Sequence, residues 1–157
     1  RLKHENLYWN YRLSGLQASL GISQIKEMQN TIKHKVRQGS YYQSLLSENN
    51  DIIQLPLKEH NGSENHYWVF GILIKQKNIR NDVMVDLKEK GIETRPFFWP
   101  LHLQKALPEK FKPQSNNLVN SENLGENGLY LPLGKHINKR KQKYITKNLI
   151  GAIKERS

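Results

Sequence analysis

Apolar residues recur at near-helical spacing from Gly15 to Leu46, at Leu16, Leu20, Ile25, Met28, Ile32, Val36 and Leu46, with polar and charged residues between them. That period predicts one long helix. At about 1.5 Å per residue it would span roughly 45–50 Å, more than a small domain needs, so it reads as an element bridging two bodies. Ser14 stands at its start with Gln17 three residues on, a capping-box pattern, and Gly39 is the position expected to weaken or bend it. Residues 1–13 read as a loop. Residues 47–65 are polar and turn-rich, broken by the apolar patch Ile52-Ile53-Gln54-Leu55-Pro56. Tyr67 to Ile74 is dense in aromatic and β-branched residues and predicts a strand. A helix is expected from Asn81 or Asp82 through Val83, Leu87 and Lys90, with Gly91 as its stop. Ile92 to Arg95 alternates apolar and polar side chains, a short strand leading into a Pro96–Pro100 turn. Residues 105–120 read as loop, Ser121 to Glu126 as a helical run ending near Gly128, and Leu129 to Leu133 as a strand stopped by Pro132. Ile145, Leu149 and Ile153 mark the apolar face of a closing helix. This alternation predicts an α/β (α+β) class, helices packed on a short sheet. The expected division is residues 1–46 as a loop with a long linking helix, and 47–157 as a small α/β domain.

Charge complicates this picture. The formal net charge is +11, and residues 135–157 hold eight Lys/Arg against one Glu. Lys139, Lys143 and Lys147 recur on one helical face. The plainest reading is a solvated basic face; anion steering and nucleic-acid binding are the other two, and no nucleic-acid-binding motif accompanies the charge. An apolar fraction of 36% and a mean hydropathy of −0.77 are low for a self-sufficient domain. They fit a body that leans on a partner, and equally a genome rich in Asn and Lys codons. There is no cysteine, which removes disulfides, zinc-thiolate sites and thiol nucleophiles. No apolar run approaches a membrane span, and the chain reads as cytoplasmic. His4, His34, His60, His66 and His136 lack metal-ligand spacing, and no metal is expected.

Two groups of residues carry candidate chemistry. Asn10, Tyr11 and Arg12 sit just ahead of the long helix, whose free N–H groups and positive dipole end suit an anion. Asn adds amide donors and Arg a planar fork. Unaided, Asn10 also fits an Asx-turn, Arg12 an ordinary ion pair and Tyr11 a buried ring. Downstream, Arg95 adjoins Phe97, Phe98 and Trp99, bracketed by Pro96 and Pro100. A cation beside flat apolar walls suits a diphosphate carrying a ring; core aromatics with an Arg at a strand edge is the other reading. His102 reads as a structural or ligand-lining residue.

The stretch Asn10-Tyr11-Arg12-Leu13-Ser14-Gly15-Leu16-Gln17-Ala18-Ser19-Leu20-Gly21 resembles the N-Y-R-(M/L)-(S/T)-x-(L/I)-Q-A-A-(L/I)-G signature of the DegT/DnrJ/StrS sugar aminotransferases, with Ser19 where Ala is usual. Gly91 to Gln104 is similar to the G-I-x-T-R-x-x-(F/Y)-x-P-x-H-x-Q block of the family's perosamine-synthase-like branch. The resemblance implies the small C-terminal domain of a fold-type I enzyme that uses pyridoxal 5'-phosphate in O-antigen or polysaccharide biosynthesis. It implies that Asn10 reaches across a homodimer interface to the phosphate of the neighbour's cofactor. It further implies that Tyr11, Arg12, Arg95, Phe97, Phe98, Trp99 and His102 line a nucleotide-linked 4-keto-6-deoxy sugar, with glutamate as amino donor. The Arg95–Phe98 run tilts the nucleotide toward GDP. The family's Schiff-base lysine belongs to a large domain that this chain does not match, so no catalytic residue is assigned and the chain alone is expected to be inactive. Two alternatives stay open: a truncated, non-catalytic interaction module, and the dehydratase branch, where His replaces the lysine.

Overall fold

The long helix forms where the spacing places it. In the computed structural model, which describes residues 11–106 and 118–156, helix α1 runs Gly15–Leu46. Its start is a full capping box: the Gln17 N–H donates to Ser14 Oγ (3.3 Å) and the Ser14 N–H to Gln17 Oε1 (2.9 Å). Gly39 neither ends nor breaks it. The Tyr67 ring lies against the helix there, and a Cβ on Gly39 would stand 2.3 Å from that ring. The glycine is a seat for that ring. The two halves of α1 differ. Gln38, Gly39, Tyr42, Gln43 and Leu46 are buried, whereas every residue from Tyr11 to Thr31 is exposed, Leu16, Leu20 and Ile25 included.

The remaining elements are β1 (Ile53–Gln54), β2 (Glu59–His60), β3 (Ser63–Glu64), β4 (Phe70–Ile74), α2 (Arg80–Glu89), β5 (Arg95–Pro96), α3 (Val119–Asn127), β6 (Gly128–Leu131) and α4 (Lys139–Lys154), with short 3-10 turns at Ser47–Asn49 and Leu101–Leu103. Four strands pair antiparallel in the order β1-β4-β6-β5. Phe70, Ile72 and Ile74 of β4 and Leu129 and Leu131 of β6 point to one face, following the period of two along a strand. There they meet Tyr42 and Leu46 of α1, Val83 and Leu87 of α2, and Ile145, Leu149 and Ile153 of α4 in a single core. Each such side chain contributes on the order of 1.5–3 kcal/mol by burial.

Four boundaries differ from the sequence-based expectation. The strand expected from Tyr67 starts at Phe70, because Tyr67 adopts the left-handed region (φ 51°) with its N–H donated to Asn65 Oδ1 at 2.8 Å. Ile92 to Thr94 form no strand. Gly91 (φ 72°) closes α2 in a Schellman turn, in which Gly91 N–H bonds the Lys88 carbonyl and Ile92 N–H the Leu87 carbonyl, so pairing begins only at Arg95. The polar stretch after α1 contains the β2–β3 hairpin, turned by Asn61 (φ 49°) and Gly62 (φ 75°) as a type I′ pair. Helix α3 begins at Val119 rather than Ser121. Strand β6 ends at Leu131, where Pro132 is expected to stop it.

Candidate functional site

The sheet face opposite α1, α2 and α4 carries Gly71 of β4, Gly128 and Tyr130 of β6, and Arg95 of β5, with α3 packed at its side. Register places Arg95 and Gly71 on either side of Tyr130. Two glycines here make room for one ring. A Cβ at Gly71 would approach Phe97 Cε2 to 2.8 Å, and one at Gly128 would approach Phe97 Cβ to 2.8 Å. Phe97 is further fixed by its N–H, which donates to the Gly128 carbonyl at 2.9 Å. From this seat an aromatic cluster spreads outward: Phe97 to Tyr130 at 5.0 Å between centroids, Phe98 to Tyr130 at 5.7 Å, and Trp68 stacked on Phe98 at 6.3 Å. Such pairs contribute about 0.5–1.5 kcal/mol each beyond their burial. Pro100 is buried against α3, where Gly125 lets it approach: a Cβ there would lie 2.6 Å from its ring. Burial raises the Tyr130 phenol above its ordinary value, with the Phe98 backbone acting in the opposite sense.

The site residues named from sequence therefore fall in separate places. Phe97 and Phe98 join Trp68 and Tyr130 in one cluster, with Arg95 exposed beside Tyr130. Trp99 is half exposed and enters none of these ring contacts. His102 Nε2 lies 2.9 Å from Glu122 Oε1, tying the 3-10 turn to α3. Tyr11 (φ 48°) and Arg12 are exposed at the far end of α1, roughly 30 Å along the helix from Lys35. Asn10 lies outside the described residues. At that helix end no acidic residue occupies the first turn, and the capping box uses only the Gln17 N–H, leaving those of Gly15 and Leu16 without intrahelical acceptors. With the Arg12 guanidinium, this donor set suits an anionic phosphate.

Beside the Arg95–Tyr130 edge opens a cleft of about 690 Å³, with Lys35, Arg95, His136 and Lys141 at its rim and Trp68 and Tyr130 among its walls. Lys35, Trp68, Tyr130 and Lys141 were not singled out from sequence. Only register and tertiary packing bring them to Arg95. The basic helix behaves as its period requires: α4 buries Ile145, Leu149 and Ile153 and exposes Lys139, Lys143 and Lys147, with Lys139 Nζ 5.3 Å from the Tyr41 ring. Among the described residues no three His, Asp or Glu side chains gather as a metal site, and no helix is long and apolar enough to cross a membrane.

Residues 1–150 match the model of the DegT/DnrJ/EryC1/StrS aminotransferase family. GDP-perosamine synthase of Escherichia coli O157:H7 is 27% identical over 146 residues, covering 93% of this chain and 38% of that protein. The GDP-perosamine synthase of Vibrio cholerae is 33% identical over 126 residues, 74% of this chain and 33% of that protein. Among solved structures, S. venezuelae DesV matches with a TM-score of 0.81 at 20% identity, over 98% of this chain and 40% of its own. E. coli GDP-4-keto-6-deoxy-D-mannose-3-dehydratase with bound hydrated PLP matches at 0.76 and 22% identity, over 94% and 38%. These two likenesses concern the fold. The chain spans roughly two fifths or less of the length of these relatives.

Proposed function

Because this chain belongs to the DegT/DnrJ/EryC1/StrS aminotransferase family, we propose that it is the small C-terminal part of a cytoplasmic, homodimeric enzyme that uses pyridoxal phosphate to aminate a 4-keto-6-deoxyhexose carried on a nucleoside diphosphate. Glutamate is the proposed amino donor and GDP the proposed nucleotide. The observation that carries this reading is the family match over residues 1–150, with two GDP-perosamine synthases among the relatives.

Pyridoxal phosphate supplies the electron sink for moving an amino group. This chain's share is to bind and orient. Arg12 and the free N–H groups that open α1 offer donors to a phosphate, and Asn10 is proposed to add a neutral donor toward the partner subunit's cofactor. Arg95 provides charge for the diphosphate, while Phe97, Phe98 and Trp99 provide apolar walls that keep water from the sugar. His102, held by Glu122, supports the turn that carries those walls. Residues 1–46 are proposed to act as loop and linking helix and 47–157 as the small domain; the exposed first half of α1 supports that division.

The test is amino transfer by the complete protein, supplied with pyridoxal phosphate, glutamate and GDP-4-keto-6-deoxymannose. Equimolar amino sugar and 2-oxoglutarate, by mass spectrometry, are the expected products. A dehydrated sugar without nitrogen would assign the dehydratase branch, and no turnover of any nucleotide-linked keto sugar would refute both.

A further inference from the structure

We infer that Asn61, at the tip of the β2–β3 hairpin, is a site of spontaneous deamidation, and that the fold shields the chain's other Asn-Gly step, Asn127-Gly128, from the same reaction. Chemically the two steps are alike. In each, the glycine backbone nitrogen gives up its proton and attacks the Asn Cγ; the side-chain nitrogen leaves as ammonia and a five-membered succinimide closes. Water then opens one of the two ring carbonyls. One product is an ordinary aspartyl residue, the other an isoaspartyl residue whose main chain runs through the side-chain carbon. Each event consumes one water and releases one ammonia, with no oxidant or reductant. Glycine favours the attack because no Cβ crowds the approach of its nitrogen.

What separates the two steps is the freedom to bring nitrogen to carbon. Asn127 is 2% exposed. Its Nδ2 donates to Asn123 Oδ1 at 2.8 Å, and its Oδ1 accepts the Asn78 N–H at 3.2 Å. The attacking nitrogen is occupied as well: the Gly128 N–H donates to the Leu124 carbonyl at the end of α3, and Gly128 pairs with Leu73 between the two central strands. Attack at this position requires the end of α3 and the middle of the sheet to open together, which lies toward the costly end of local unfolding.

Asn61 has none of this protection. Residues 57–64 are all exposed, and among the described residues nothing hydrogen-bonds the Asn61 side chain. Closing the five-membered ring swings the peptide plane out of the type I′ geometry, so the turn must relax first. Relaxation costs little here. The ladder is two residues long and forms a sheet of its own, and a lone two-stranded hairpin is marginal in water. It sets Glu59 opposite Glu64, a like-charge pair that weakens it further. No hairpin residue belongs to the core. The base is held separately by Asn65, whose N–H and Nδ2 donate to the Lys58 and Leu57 carbonyls at 2.9 Å each, so the tip opens without disturbing what lies beneath. The change reinforces itself. An aspartyl product adds a third negative charge to a hairpin that already opposes two glutamates. An isoaspartyl product lengthens the main chain of a two-residue turn, and the pairing of Glu59 with Glu64 and of His60 with Ser63 is lost.

Peptide mapping by mass spectrometry, after ageing the complete protein in mildly alkaline buffer, tests this. Asn61 should convert to a mixture of aspartyl and isoaspartyl forms, within about tenfold of its rate in the urea-unfolded protein, and Asn127 at least about tenfold more slowly than Asn61. In urea the two positions should convert at similar rates. Glu64→Lys, which replaces the like-charge pair by an opposite one, should slow Asn61 about two- to fivefold with the circular dichroism unchanged. Gly62→Ala should slow it severalfold even though alanine strains the left-handed position and loosens the turn, which separates the chemistry from the opening. Equal rates at Asn61 and Asn127 in the folded protein would overturn the assignment. So would an Asn61 still intact when the unfolded protein has converted, or conversion that Gly62→Ala or Glu64→Lys leaves as fast as in wild type.

Discussion

Replacing Gly39 by alanine sets two effects of opposite sign against each other. Within a helix, Ala is favoured over Gly by about 1 kcal/mol, so propensity alone predicts a more stable protein. Packing predicts the opposite. The new Cβ would stand 2.3 Å from two carbons of the Tyr67 ring, where about 3.5–4.0 Å is comfortable. The ring must therefore retreat by more than an ångström. It is 3% exposed and packed on Phe70 (5.7 Å), which in turn packs on Tyr42 (4.9 Å). Overpacking of this kind costs about 1–3 kcal/mol, and expulsion of the ring would forfeit a further ~1.5–3 kcal/mol of burial. Packing wins, and Gly39→Ala should destabilise the fold by up to about 2 kcal/mol net, and by more if the Tyr67 ring is expelled. Urea unfolding followed by circular dichroism reads this directly. Gly21, also inside α1 but with nothing within 4 Å of its would-be Cβ, is the internal control: Gly21→Ala should stabilise by about 0.5–1 kcal/mol. In a Tyr67→Ala background the Gly39 penalty should vanish and the propensity gain emerge. A stabilised Gly39→Ala, or a penalty that persists without the Tyr67 ring, would refute the reasoning.

Asp86 accepts two bonds from Arg156 (2.7 and 2.8 Å), which hold its carboxyl below the ordinary 3.8; that stabilisation is present above about pH 4 and lost as pH falls through the lowered value, so the stability gap between wild type and Asp86→Asn, from unfolding midpoints, should close in acid. Changing Lys139, Lys143 and Lys147 together to Gln should leave the fold intact and slow substrate association in the complete protein modestly, an effect that stopped-flow measurements should see fade with salt. Should the wild-type helix instead retain nucleic acid with submicromolar affinity at physiological salt, nucleic-acid binding would displace amino transfer as the main role of this chain. Asn10→Ala in the complete protein should weaken cofactor retention by about 1–2 kcal/mol. Measured in mixed dimers, that loss must follow the subunit that carries the change to its neighbour's site.

The elements that the sequence announces are those whose signals are local. Ser14 and Gln17 fix the start of α1, Gly91 and Ile92 fix the end of α2, and the spacing of Ile145, Leu149 and Ile153 fixes the buried face of α4. The readings that changed depend on residues distant in the chain. Gly39 looks like a weak point until Tyr67 folds onto it, and Tyr67 looks like a strand residue until Asn65 and Gly39 hold it in the left-handed region. The Asn61-Gly62 turn signal was present, but the strands around it are polar and exposed, so no alternation drew attention to it. At the site, the Arg95-to-Trp99 run was visible as a motif. The partners were not. Tyr130 reaches it through the β5–β6 register, and Lys35 and Lys141 through the packing of α1 and α4 around the sheet's end.

The sheet is short at both margins. Its outermost strands, β1 and β5, pair over two residues each; β5 ends on Pro96, which has no N–H to offer, and Pro56 follows β1 closely. Proline and brevity at a margin block the addition of further strands. The four-stranded sheet therefore offers little edge for strand exchange or for backbone pairing with another body. A body that meets the aromatic face or the exposed front of α1 meets side chains, so a change of partner there could proceed by surface substitutions alone while the ladder of hydrogen bonds beneath stays untouched.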